Sequence, residues 1–86
     1  MGKMFVVFAV YPEDVEDIPH IEKALRELKE GEFREVKKEP VAFGMELIKA
    51  AYLLPDKVEG VLEALEGAIK AISGVSNVEV SGMTLI

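Results

Sequence analysis

Residues 4–11 set an unbroken row of apolar and aromatic side chains, Met-Phe-Val-Val-Phe-Ala-Val-Tyr. A strand with one wet face alternates apolar and polar residues. A run without alternation, dominated by β-branched and aromatic types, needs cover on both faces. The stretch predicts a strand in the middle of a sheet, and the rest of the chain must supply its neighbours and a helical layer.

Residues 12–17 form an acidic turn, after which Ile18, Ile21, Leu25 and Leu28 recur at helical spacing opposite Glu22, Arg26 and Lys29. Asp17 is placed to cap this helix, Pro19 fits only its first turn, and Gly31 ends it. Residues 32–39 carry Phe33 and Val36 among many charges, which suits an edge strand. Residues 45–54 start polar and turn continuously apolar, giving another strand that Pro55-Asp56 breaks. A second helix follows from Val58, Val61, Leu62, Leu65, Ile69 and Ile72, with Gly60 and Gly67 in its interior, where close packing on the sheet would account for them. Gly74 caps it, and residues 75–86 alternate as the last strand.

The order is strand, helix, strand, strand, helix, strand: two crossover units joined by a hairpin. The expected architecture is α+β, a ferredoxin-like βαββαβ sandwich with a four-stranded antiparallel sheet and two helices on one face. Residues 1–86 read as a single domain, without repeats or linkers. Right-handed crossovers lead to the further expectation that the first and last strands lie side by side and parallel at the sheet centre.

Charge and composition exclude most chemistry. Ten Lys+Arg against sixteen Asp+Glu give a net charge of −6, which repels phosphate backbones and argues against direct nucleic-acid binding. There is no cysteine, which removes disulfides, thiolate metal sites and cysteine nucleophiles together. The only histidine, His20, falls in the first turn of an exposed helix, and Ser73, Ser76 and Ser81 lie in no nucleophile motif. No phosphate loop, zinc spacing or calcium loop occurs, so no cofactor and no catalytic residue is expected. No segment approaches the roughly 20 apolar residues of a membrane span. The expectation is a cytoplasmic, non-enzymatic protein.

One connection stands out: Glu39-Pro40-Val41-Ala42-Phe43-Gly44. Proline fixes one torsion and glycine frees another, and between them an aromatic is placed in a turn. Phe43 either folds back onto the core or serves as an anchor that fills a partner's pocket.

This segment, together with Gly74-Val75-Ser76-Asn77-Val78-Glu79-Val80, resembles the archaeal translation elongation factor 1-beta family, the guanine nucleotide exchange factor for elongation factor 1-alpha. The acidic turn and the chain length look like that family too. The resemblance implies a binding protein that promotes exchange of GDP for GTP on its GTPase partner. It implies that Phe43, flanked by Pro40 and Gly44, enters a pocket on the GTPase, and that the C-terminal Leu85 and Ile86 reach the nucleotide site. The eukaryotic relatives act there through a next-to-last lysine, whereas Met83-Thr84-Leu85-Ile86 contains none.

Two other readings stand beside this one. A small-molecule-sensing regulatory domain of the same fold would need polar ligand contacts before the first helix, where residues 12–17 offer only carboxylates. A plain assembly subunit would use the uncovered sheet face, and the apolar first strand leaves room for a homodimer.

Overall fold

The computed structural model describes residues 2–41, 44–55 and 60–85. Strand β1 (Lys3–Pro12) runs into a short 3-10 turn (Val15–Asp17) and helix α1 (Ile18–Glu27). Strands β2 (Glu32–Pro40) and β3 (Glu46–Pro55) form a hairpin, and helix α2 (Val61–Lys70) leads to β4 (Val75–Leu85). The element order is the one read from the sequence; Val58 falls outside the described residues.

The sheet order is β2-β3-β1-β4, and every neighbouring pair is antiparallel. The architecture is therefore the expected ferredoxin-like α+β sandwich. The expected parallel centre is not. β1 pairs with β3 at the centre, and β4 lies at an edge, antiparallel to β1. The reason is geometric: each crossover skips one strand. β1 and β2 enclose β3, and β3 and β4 enclose β1, so the parallel partners never touch. The charged β2 takes the other edge with Lys37 and Lys38 in solvent, as expected.

Alternate residues of the central strands make the core. Val6, Phe8 and Val10 of β1 and Ile48, Ala50, Tyr52 and Leu54 of β3 are fully buried, in one cluster with Ile18, Ile21 and Leu25 of α1 and Leu65 and Ile69 of α2. Both helices thus cover the same face. Tyr52 is the hub: Phe8 and Phe33 meet its ring edge-on at 6.1 and 5.7 Å between centroids, geometry that adds to area burial.

Local expectations change at the helix ends and at two glycines: α1 closes at Leu28 and α2 at Ala71, short of Gly31 and Gly74. Asp17 precedes α1 without a side-chain capping bond; the capping is done one turn earlier, where Asp14 Oδ1 accepts from the Glu16 amide at 3.1 Å. Gly60 is not inside α2 but before it, with φ of +79°, a left-handed conformation that suits glycine. Gly67 is inside α2, yet a methyl group there would meet nothing within 4 Å, so close packing on the sheet is not its role.

Candidate partner-binding site

The connection singled out from the sequence is the tip of the β2–β3 hairpin. β2 runs to Pro40, which pairs with Glu46, and the Val41 amide donates to the Met45 carbonyl at 2.9 Å, closing the loop. Gly44 has φ of +73° with open space around it, so glycine is needed for backbone conformation and not for room. Pro40 and Gly44 are both exposed. Ala42 and Phe43 lie outside the described residues, so the choice between anchor and core for Phe43 rests on its flanks.

Register places this tip in the molecule. Val10 pairs with Ile48 and Pro12 with Val75, so the end of β1, the acidic turn, the hairpin tip and the start of β4 share one end of the sheet. That end is pinned: the Glu13 amide donates to the Gly74 carbonyl at 2.8 Å, and Gly74, with φ of +94°, sits so close that an added methyl would come within 2.9 Å of Asp17 Cβ.

Leu85 is at the other end. It pairs with Met4, which pairs in turn with Leu54. Glu46 and Leu54 stand eight positions apart on β3, and at about 3.3 Å per residue that is ~26 Å. The sequence-derived site residues are thus not brought together. Pro40 and Gly44 mark one end of a molecule 42 Å long and Leu85 the other, while Ile86 is outside the described residues.

Side chains at both ends are unusually apolar for solvent. Val15, Val41 and Met45 are 40–42% exposed at the hairpin end, and Met83 and Leu85 are 48% and 69% exposed at the far end of β4. Of these, the sequence assigns a site role to Leu85 alone, with Val41 and Met83 only as members of the two segments that it singles out. Met83 pairs with Val6 and so lies on the helix side of an edge strand, where it is left uncovered, and neither it nor Val15 or Met45 carries a sequence signal of exposure.

The uncovered sheet face is less apolar than β1 suggested. Lys49 reaches from β3 across β1 to donate to Ser81 Oγ at 2.7 Å, and its Nζ lies 3.5 Å from a Glu39 carboxylate oxygen. Tyr11 donates to Glu79 Oε1 at 2.9 Å, a bond that raises the phenol pKa above its ordinary value. These polar groups satisfy one another. Among the described residues, no three His, Cys, Asp or Glu side chains are grouped to hold a metal, and no buried side-chain polar atom lacks a partner. No described helix is long and apolar enough to cross a membrane. What the surface offers is contact.

Similarity decides which contact. The sequence pattern of the EF-1 guanine nucleotide exchange domain matches residues 5–86. This chain belongs to that family. Elongation factor 1-beta of Ignicoccus hospitalis is 41% identical over 83 residues, covering 93% of this chain and 88% of that protein. Elongation factor 1-beta of Desulfurococcus amylolyticus is 39% identical over 83 residues, with 93% and 92% covered. Solved structures agree on the fold alone: the ACT domain of a Chlorobium tepidum GTP pyrophosphokinase superposes with a TM-score of 0.63 at 14% identity, covering 93% of this chain and 99% of that one. The C-terminal domain of the Mycobacterium tuberculosis MgtC protein gives 0.64 at 13%, covering 98% and 87%. Sequence kinship to the exchange-domain family outweighs likeness of fold at 14% identity, and the small-molecule-sensor reading is not favoured.

Proposed function

We propose that this member of the EF-1 guanine nucleotide exchange domain family promotes exchange of GDP for GTP on elongation factor 1-alpha by holding the GTPase from two ends. Phe43, presented between Pro40 and Gly44, fills a pocket at one end. Leu85 and Ile86 press beside the nucleotide site at the other. The observation that carries this reading is the placement of the two segments about 26 Å apart on one antiparallel sheet. One partner can meet both only if it is large and presents two separate regions.

No bond is made or broken in this scheme. Binding that favours the nucleotide-free GTPase lowers nucleotide affinity by the same factor, because coupling between the two sites is reciprocal. With leucine where the eukaryotic relatives have lysine, the C-terminal segment works by occupying space next to the groups that hold the nucleotide, not by placing a positive charge there. The net charge of −6 keeps the protein off nucleic acid, and it acts in the cytoplasm as a single domain.

The test is release of a fluorescent GDP analogue from elongation factor 1-alpha in excess unlabelled nucleotide. Added chain is expected to accelerate release in proportion to its concentration. An unchanged release rate at saturating chain overturns the reading.

A further inference from the structure

The hairpin end combines exposed apolar side chains with a one-sided distribution of charge. Val15, Val41 and Met45 are exposed there, on backbone held by the Val41–Met45 hydrogen bond and by the Asp14-capped turn. Around them stand Glu13, Asp14, Glu16, Asp17 and Glu46, and none has an ion pair among the described residues. The ion pairs that do form join Lys3 and Arg34 to Glu32, Lys37 to Glu35, and Lys49 to Glu39. Basic side chains are thus spent along the sheet and at the far end, where Lys3, Lys29 and Arg34 balance Glu27, Glu30 and Glu32. Among the described residues, the basic side chains toward the hairpin end are Lys38 near the end of β2, Lys49 near the start of β3, where it is held by Glu39, and Lys70 in the last turn of α2. Among the described residues, carboxylates therefore outnumber basic side chains at this end of the long axis.

We infer that this end is a docking face for an apolar patch ringed by lysine and arginine on the GTPase, with Val15, Val41 and Met45 at its centre. This rests on the exchange reading for the identity of the partner and extends it to residues and forces outside the Phe43 turn. Charge complementarity selects the occupant. A second copy of the chain would set acid against acid, and nucleic acid would set carboxylates against phosphates. A basic protein surface gains twice, because opposite fields raise the encounter rate and the apolar centre slows dissociation once docked. The acidic end should therefore arrive first and orient the molecule, before the uncharged C-terminal segment, Met83 to Leu85, finds its place.

Stopped-flow binding of the full chain to GDP-loaded elongation factor 1-alpha, at low and at physiological salt, tests this. The double variant Glu13→Lys/Glu16→Lys is expected to slow association at low salt by about tenfold or more and to flatten its salt dependence. Val15→Asp, with folding checked by its thermal melt, is expected to speed dissociation. The control Glu27→Lys/Glu63→Lys makes the same change of net charge away from this end and is expected to stay within about twofold of the parent. Equal slowing by both double variants, or a folded Val15→Asp chain with unchanged rates, overturns the docking face. Salt-dependent binding without faster GDP release removes the exchange reading and leaves the docking face standing. No binding at all removes both.

Discussion

The hydroxyl of Tyr52, in the middle of β3, donates to the carbonyl of Leu25 at 2.7 Å in the buried interior. Leu25 lies in the last turn of α1, where carbonyls have no partner further along the helix. The sheet thus caps the helix through the core. Tyr52→Phe keeps the ring and its packing on Phe8 and Phe33 but leaves that carbonyl unsatisfied. The expected loss is about 1–2 kcal/mol, read as a lower melting temperature by roughly 4–8 °C per kcal/mol. An unchanged melt would show that the bond contributes nothing net.

The same hydroxyl makes stability depend on alkali. Burial, with the nearby Glu30 carboxylate second, pushes the Tyr52 pKa well above its ordinary 10.0. The unfolded chain releases this proton from about pH 10 while the folded chain retains it. Stability is therefore whole below that pH and falls as pH rises through it. Denaturant titrations between about pH 9 and 11.5 should show a steeper decline in the parent than in Tyr52→Phe. Tyr11 titrates in both proteins and sets the remaining slope. Equal slopes would show that Tyr52 ionises as readily in the fold as outside it.

Gly67 should be replaceable at a gain. It is exposed inside α2 with open space where a methyl would go. Gly67→Ala is expected to stabilise by about 0.5–1 kcal/mol, through helix propensity and a less flexible unfolded chain. A drop in the urea midpoint would reveal a contact that the fold does not show.

Gly74 is the opposite case. Its φ of +94° and its approach to Asp17 leave no room for a side chain. Gly74→Ala should destabilise by about 1–3 kcal/mol through backbone strain and displacement of the Asp17 turn. Because that turn belongs to the acidic end, binding to the GTPase should weaken as well. A melt equal to the parent's would contradict both effects.

For Phe43 the proposed anchor role predicts a split between two assays. Phe43→Ala should leave the melting temperature nearly unchanged while reducing affinity for the GTPase by about thirtyfold, the effect of truncating a 2 kcal/mol hot spot. A collapsed melt with proportionate loss of exchange would make Phe43 a core residue. Parent-like values in both would leave residues 84–86 as the next segment to delete.

What the sequence made legible follows from which signals are local. Ile18, Ile21, Leu25, Leu65 and Ile69 declare their buried faces by spacing alone, and the charges of β2 declare an edge. Strand neighbours are not local: nothing in residues 75–85 says that the chain must cross over β1 and lay β4 antiparallel against its far side. Gly60 and Gly67 look alike in sequence, yet one turns the chain left-handed and the other merely weakens a helix. For the proposed site, Pro40, Gly44 and Leu85 are named through family resemblance. The exposed Val15 and Met45 are not, because exposure at the end of a sheet depends on what the helices fail to cover. The Lys49 bridge to Ser81 was hidden too, since its partner sits two strands away and 32 positions along the chain.

The ladder between β1 and β3 runs without a bulge from Lys3 and Pro55 to Val10 and Ile48. Such a ladder does not stretch, so under the proposed grip the molecule is a calliper of set opening. It cannot follow its partner's domains as they move. Only those GTPase conformations whose two contact regions match the opening can be held at both ends, and holding them enriches them. All the motion of the exchange cycle then belongs to the GTPase, and the small protein contributes by refusing to change length.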